Sequence, residues 1–132
     1  MWQMRVRISP GPPYFMKKCF RCEKIKNLDF FGKDIRHKDN KQSSCKECQR
    51  ELLKQFRTKK RELVNKAKDK PCMDCGVKYP YYVMDFDHKE NKCFGISEAV
   101  NKNISLTKIK LEIEKCDLVC ANCHRIRTFI RV

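Results

Sequence analysis

Cysteine is the most informative residue type of this 132-residue chain, because eight of its ten cysteines form four C-x-x-C pairs. The pairs are Cys19 and Cys22, Cys45 and Cys48, Cys72 and Cys75, and Cys120 and Cys123. A C-x-x-C turn lets two thiolates converge on one zinc ion, and zinc takes four ligands in a tetrahedron, so two pairs complete one site. Neighbouring pairs, with 22 and then 44 residues between them, predict two structural Zn²⁺ sites. A redox pair or two buried thiols is the alternative for any single C-x-x-C, whereas four pairs in one short chain favour zinc.

Carboxylates and histidines accompany the second pair of C-x-x-C turns. Asp87 and His88 lie in MDFDHKE, and His124 follows the last cysteine in CANCHRIRT. Neighbours in an extended strand point to opposite faces, so one of Asp87 and His88 can hold a metal ion while the other faces a water. Asp, His and an open coordination position suit a divalent ion acting on phosphate, and a neutral imidazole suits a general base. The pattern predicts metal-assisted phosphodiester hydrolysis, with Asp85 as a supporting partner rather than a ligand.

Three other reactive side chains have no evident role in this chemistry. Cys93 and Cys116 lie outside the pairs and are expected to be free, buried thiols. His37 lies in a polar loop and is expected to be an ordinary surface residue.

The first part of the chain must hold the first zinc site. Residues 1–15 contain three of the five prolines and are expected to be a flexible extension, with Met16 hypothesised as the natural start. Residues 16–49 are expected to form a four-cysteine zinc finger. Its metal site is expected to be covered by Leu28, Phe30 and Phe31. Residues 50–70 lack Gly and Pro, and their composition predicts a basic linker helix.

Residues 71–132 must hold the second zinc site and the candidate catalytic residues. The segment YYVMDFD predicts a strand, and Ser105 is expected to cap a helix over residues 106–115. The helix is expected to present Leu106, Ile109 and Ile113 on one face, although apolar alternation in the same segment also allows a strand. A last helix is expected to start near Asn122.

The charge distribution indicates the partner. The chain has a net charge of +15, of which only +2 belongs to residues 71–132. A solvated helical face is the plain explanation of the basic surplus, but such a stretch beside a zinc finger favours contact with a phosphate backbone. The expected contacts are Arg57, Lys59, Lys60 and Arg61 on the linker helix, with Arg125 and Arg127 on the scissile phosphate. The predicted partner is double-stranded DNA, bound with weak sequence preference by a monomer or weak dimer.

Composition also excludes several classes of protein. The mean hydropathy is -0.71 and no run of about 18 apolar residues occurs, so no transmembrane span is expected. The first residues lack the apolar stretch of a secretory signal, which predicts a cytoplasmic protein with reduced thiols. A hydrophobic share of 41% argues against a disordered polycation.

The order of these motifs resembles a known enzyme family. A C-x-x-C pair, then DFDH, then a helix leading into EIEKCDLVCANCHRIRT is similar to the zinc-containing HNH endonucleases of phages and bacteria, over residues 71–128. The segments CFRC and CKECQR with the basic helix resemble the zinc finger that often precedes such domains. The resemblance implies a small α+β fold, with a ββα-metal, treble-clef-like nuclease domain held by structural zinc.

The resemblance also implies residue roles. His88 would be the general base, and Asp87 and His124 would hold a catalytic divalent ion, Mg²⁺ or Mn²⁺. The middle asparagine of the family's name has two candidate positions here, Asp117 and Asn122. The principal alternative is a non-catalytic double zinc-finger protein that binds DNA or RNA.

Overall fold

The computed structural model describes residues 15–131 as a small α+β protein. Its strands are β1 (Met16–Lys18), β2 (Ile25–Asn27), β3 (Phe31–Lys33), β4 (Lys41–Cys45), β5 (Met84–His88) and β6 (Cys116–Cys120). Its helices are α1 (Lys46–Ala67), α2 (Ile96–Ala99), α3 (Leu106–Glu114) and α4 (Ala121–Ile130). The chain divides between Lys54 and Gln55 into two compact units, the N-terminal unit and the C-terminal unit. The expected flexible extension lies, apart from Phe15, outside the described residues.

The N-terminal unit contains two antiparallel strand pairs, β1 with β2 and β3 with β4. Its core is small and consists of Phe31 packed with the cysteines of the first cluster. Of the three residues expected to cover the metal site, Phe31 is 1% exposed, Leu28 is partly buried and Phe30 is largely exposed. Phe31 can take this place because β3 pairs it directly with Cys45 of β4.

Helix α1 starts four residues before the expected linker helix and ends at Ala67 rather than at residue 70. The early start follows from β4, because Cys45 ends that strand and the helix begins at the next residue. The absence of Gly and Pro lets the helix continue for 22 residues. Near its end, Val64 is buried in a core of the C-terminal unit.

The C-terminal unit is built around the antiparallel pair of β5 and β6. A turn of 3-10 helix at Tyr81–Val83 precedes β5, so the strand begins three residues later than the aromatic segment suggested. The pairing sets Asp87 opposite Asp117 and His88 opposite Cys116. Two buried clusters support this unit, one containing Ile109 of α3 and one containing Cys72 and Cys120 of the second site.

Helix α3 confirms the helical reading of residues 106–115 over the strand alternative. Ser105 caps it as expected, since its side chain accepts a hydrogen bond from the Lys108 amide at 3.3 Å. The expected apolar face is only partly correct, because Ile109 is fully buried while Leu106 remains exposed. The second fully buried residue of α3 is the charged Glu112, at 2% exposure. Helix α4 confirms the expected final helix and begins at Ala121.

Candidate functional site

The first C-x-x-C turn has the same backbone geometry in both units. The amide of Glu23 donates to the carbonyl of Cys19, and the amide of Gly76 donates to the carbonyl of Cys72, each at 2.9 Å. Both donors follow the cysteine by four residues and both have positive φ, 57° for Glu23 and 71° for Gly76. Glycine adopts this conformation freely, whereas glutamate adopts it with strain.

The second C-x-x-C turn of each unit joins a strand to a helix. Cys45 ends β4 and Cys48 lies in the first turn of α1. Cys120 ends β6, and its sulfur caps α4 by accepting a hydrogen bond from the Cys123 amide at 3.5 Å. Each second pair is therefore fixed by a strand end and a helix start at once.

The two turns of each unit bring four thiols together. In both clusters the sulfur atoms lie within 4.8 Å of one another, and within residues 15–131 these are the groups of His, Cys, Asp or Glu with such geometry. The Cys19 and Cys48 sulfur atoms are 3.9 Å apart. A tetrahedral zinc ion with bonds of about 2.3 Å to sulfur needs sulfur separations of about 3.8 Å. Both clusters can therefore hold a metal ion such as zinc, as the sequence predicted.

Backbone amides favour the thiolate form in both clusters. The Cys45 amide donates to the Cys19 sulfur, and the Cys120 amide donates to the Cys72 sulfur, each at 3.2 Å. Burial by itself raises the pKa of Cys19 and Cys72, but such hydrogen bonds outweigh it and lower each pKa to about 6. The thiolate is the form that binds zinc.

The second cluster positions His124 against strand β5. His124 follows Cys123 in the first turn of α4, and its Nδ1 lies 3.2 Å from Asp85 Oδ2. Its Nε2 lies 3.7 Å from Asp87 Oδ1. Asp85 and Asp87 share a face of β5, so the ring touches one carboxylate with each nitrogen.

Asp87 is a buried carboxylate that already contacts two cations. It is 4% exposed, and Arg131 donates to its Oδ1 at 2.9 Å and to its Oδ2 at 2.8 Å. Arg127 donates to its Oδ2 at 2.9 Å. The hydrogen bonds from Arg131 are the main reason that the pKa of Asp87 falls to about 2, against the opposing effect of burial. Asp87 is therefore ionised, and the two arginines balance its negative charge.

The His88 side chain lies on the opposite face of β5 from Asp85 and Asp87. Its Nε2 lies 3.0 Å from Oε1 of Glu112 on α3. The opposite directions of Asp87 and His88 follow from strand alternation, as the sequence suggested. Glu112 was missing from the candidate residues of the sequence, although its spacing of three from Ile109 puts it on the buried face of α3.

The two candidates for the middle asparagine lie elsewhere. Asp117 accepts a hydrogen bond from Arg127 at 2.9 Å, and Lys89 Nζ lies 3.0 Å from its other oxygen. Asn122 is exposed on α4. The residue that contacts His88 is thus Glu112 rather than either candidate.

Some residues expected to contact DNA are exposed, whereas others already make hydrogen bonds within the protein. Arg57, Lys59, Arg61 and Arg125 are exposed. Lys60 is only 9% exposed and donates to the Lys102 carbonyl at 2.7 Å, which removes it from the candidate surface. Arg127 also donates to Asp74, so its guanidinium bridges three carboxylates and would have to leave them to reach a phosphate.

The two unpaired cysteines differ from the expectation of buried thiols. Cys93 is exposed, with Lys115 Nζ at 3.2 Å from its sulfur. Cys116 is half-buried, and this burial is the largest of the effects that raise its pKa to about 11.

Comparisons with protein-family models, with curated proteins and with solved structures return no match for this chain. None of the helices in the described part of the chain has the length and apolar character needed to cross a bilayer.

Proposed function

We propose that this chain is a metal-dependent endonuclease of the HNH type, which hydrolyses phosphodiester bonds of double-stranded DNA. The observation that supports this most is the position of His124, between Asp85 and Asp87 at the end of a four-cysteine cluster. In this proposal, β5, β6 and α4 form a ββα-metal, treble-clef-like unit whose cysteines bind structural zinc.

The donor set around His124 suits a hard divalent ion. A histidine that ligates a metal through one nitrogen commonly donates its other N–H to a carboxylate, and Asp85 is in that position for Nδ1. Nε2 of His124 and Oδ1 of Asp87 then remain as the two protein ligands. Mg²⁺ is commonly held by one or two protein groups, with waters and substrate phosphate completing its shell. When bound, such an ion polarises the scissile phosphate and stabilises the departing 3′ oxygen.

His88 is the proposed general base for the attacking water. It is the last residue of β5, directly after Asp87, and its side chain retains 13% exposure. A neutral imidazole at this place can accept the proton of water as the water attacks phosphorus. Departure of the 3′ oxygen leaves 5′-phosphate and 3′-hydroxyl ends, as in the enzymes that the sequence resembles.

The exposed cations supply the proposed DNA contacts. Arg57, Lys59 and Arg61 lie along α1, and Arg125 follows His124 on α4. Their contacts with phosphate would be independent of base sequence and sensitive to salt.

A non-catalytic zinc protein that binds nucleic acid is the second candidate. The observation in its favour is the pairing of Asp87 with two arginines, which already neutralise the carboxylate that the nuclease proposal assigns to a divalent ion. This candidate predicts salt-dependent DNA binding without metal-dependent cleavage.

Plasmid cleavage distinguishes the two candidates. Zinc-loaded protein is incubated with supercoiled plasmid, with and without Mg²⁺ or Mn²⁺, beside the variants His88→Ala and His37→Ala. We expect metal-dependent nicking or cutting by the wild type, and a loss of at least about 100-fold in His88→Ala with zinc content and DNA binding retained. His37→Ala is the control, since His37 is half-exposed in a loop of the N-terminal unit.

Each result has a defined meaning. Wild-type protein that binds DNA but never cleaves it supports the non-catalytic candidate. Unchanged cleavage by His88→Ala refutes His88 as the base while leaving the nuclease activity in place.

A further inference from the structure

We propose that Glu112 is the positioning residue of His88, holding the hydrogen of its neutral ring on Nε2 and leaving Nδ1 as the proton-accepting nitrogen. The proposal rests on the nuclease function inferred above, and it identifies the residue that orients the base of that site. The structural support for this role comes from the contacts of the buried Glu112 carboxylate.

The Glu112 carboxylate is fixed by more than its contact with His88. Its Oε1 accepts hydrogen bonds from the amides of Cys93 at 2.7 Å and Phe94 at 3.4 Å. Its Oε2 accepts a hydrogen bond from Lys115 Nζ at 3.0 Å. A carboxylate held from both sides, on the buried face of a helix, cannot easily follow a ring that moves.

Glu112 is ionised at neutral pH. Burial by itself would raise its pKa, but the Lys115 hydrogen bond and the amides of Cys93 and Phe94 outweigh burial and lower the pKa to about 2. An ionised carboxylate has no hydrogen to donate.

The tautomer of His88 follows from this. Glu112 Oε1 lies 3.0 Å from His88 Nε2, and two acceptors cannot share a hydrogen bond without a hydrogen between them. Nε2 of His88 must therefore carry the hydrogen, and the neutral ring keeps its free lone pair on Nδ1. The same carboxylate stabilises the imidazolium that forms when Nδ1 accepts a proton, as an acid residue does for the histidine of a catalytic triad.

A carboxylate with this role would also be missed by a search for the family's asparagine. Asp117 and Asn122 were the candidates because they lie near the last cysteine pair. Glu112 lies earlier in the sequence, on α3, which belongs to the connection between β5 and β6. Its side chain contacts His88 at the end of β5.

The test reads the tautomer directly, without DNA or a catalytic divalent ion. Zinc-loaded, ¹⁵N-labelled protein is studied by long-range ¹H–¹⁵N correlation of the His88 ring, at a pH where the ring nitrogen shifts show the neutral form. We expect an Nε2–H signal protected from exchange with water and a bare Nδ1 in the wild type. A wild-type ring with its hydrogen on Nδ1 overturns the proposal, whether or not the protein cleaves DNA.

Three variants connect the tautomer to positioning. Glu112→Gln should keep the Nε2–H signal, because its amide oxygen can take the two backbone hydrogen bonds and still accept from His88. The Lys115 ammonium, which cannot donate to the new NH2 group, is 38% exposed and can turn into solvent. Glu112→Leu should give an averaged, rapidly exchanging ring. Glu114→Leu, an exposed change on the same helix, is the matched control and should leave the ring unchanged.

An unchanged His88 ring in a folded Glu112→Leu variant overturns the proposal. If that variant loses its zinc or its folded amide spectrum, the wild-type and Glu112→Gln spectra decide instead, and loss of the Nε2–H signal in Glu112→Gln counts against Glu112. In plasmid cleavage, Glu112→Leu is expected to lower kcat by at least about 10-fold with KM for DNA unchanged, as removal of a group acting in the transition state does. A wild type that shows the predicted tautomer but cleaves no DNA refutes the nuclease function and leaves the Glu112 contact in place.

Discussion

Replacing Arg131 with alanine is expected to strengthen Mn²⁺ binding at the proposed site of Asp87 and His124. Arg131 donates to both oxygens of Asp87, including Oδ1, the atom that lies 3.7 Å from His124 Nε2. Arg127 contacts Oδ2 alone. Arg131→Ala therefore frees the oxygen that faces His124, while Arg127 still holds the other oxygen.

The size of the effect follows from the exposure of the two partners. The Asp87 side chain is 5% exposed, whereas the Arg131 side chain is 53% exposed, so solvent screens the ion pair. A bidentate but half-exposed pair is worth about 1 kcal/mol. With that energy, Asp87 is free of Arg131 in about one molecule in six, and the apparent metal affinity is reduced about sixfold. Arg131→Ala should lower the dissociation constant for Mn²⁺ by about this factor.

Electron paramagnetic resonance of free Mn²⁺ measures this constant on zinc-loaded protein without any activity assay. Arg125→Ala is the matched control, since it removes one positive charge from an exposed position of α4, the helix whose C-terminal cap is Arg131. A general charge effect would strengthen Mn²⁺ binding equally in both variants. Unchanged or weaker binding in Arg131→Ala would refute the competition between Arg131 and the divalent ion.

Three further outcomes can be measured on the same protein. Metal analysis is expected to find two zinc ions per chain, one in Cys45→Ala and two in Cys93→Ala; a single ion in the wild type would contradict the two-cluster arrangement. Gly76→Ala is expected to lower the free energy of unfolding in denaturant by about 1 kcal/mol, because its φ of 71° is strained for alanine while no atom lies within 4 Å of the added carbon. Arg57→Ala is expected to reduce the slope of log DNA affinity against log salt concentration by about 1, whereas Lys60→Ala should keep the wild-type slope. A wild-type slope in Arg57→Ala would remove this residue of α1 from the DNA surface.

The cysteine clusters could be predicted because each depends on the spacing of cysteines within short segments. A C-x-x-C turn needs only four residues, and the number of ligands that zinc requires pairs one turn with another. The cap at Ser105 and the start of α4 are local features in the same sense, and both are as expected. The contact of His124 with Asp85 also follows from local rules, since the cysteine turn fixes one residue and strand alternation fixes the other.

The partners of the charged residues could not be predicted, because they come from distant parts of the chain. Glu112 lies 24 residues from His88, and an acidic residue in a helix is usually expected on its exposed face. Arg127 was expected at the scissile phosphate because it lies near His124 in the sequence. Its three carboxylate partners, Asp74, Asp87 and Asp117, lie 10 to 53 residues away, and no sequence pattern predicts them. Lys60 was expected to contact DNA, but its side chain is buried and its ammonium donates to the Lys102 carbonyl.

The two units share the geometry of their cysteine turns but differ in the length of the connection between their paired strands. The strands that carry the second cysteine pair are joined to their partners by residues 34–40 in the N-terminal unit and by residues 89–115 in the C-terminal unit. Lengthening a flexible loop costs only about 0.6 kcal/mol per doubling, so the longer connection adds roughly 1 kcal/mol of closure entropy. If the four cysteines at the base of the loop bind a metal ion, the binding free energy can offset that cost many times over. The strand connection is therefore a place where added length costs little, and the longer connection of the C-terminal unit contains α3 and Glu112.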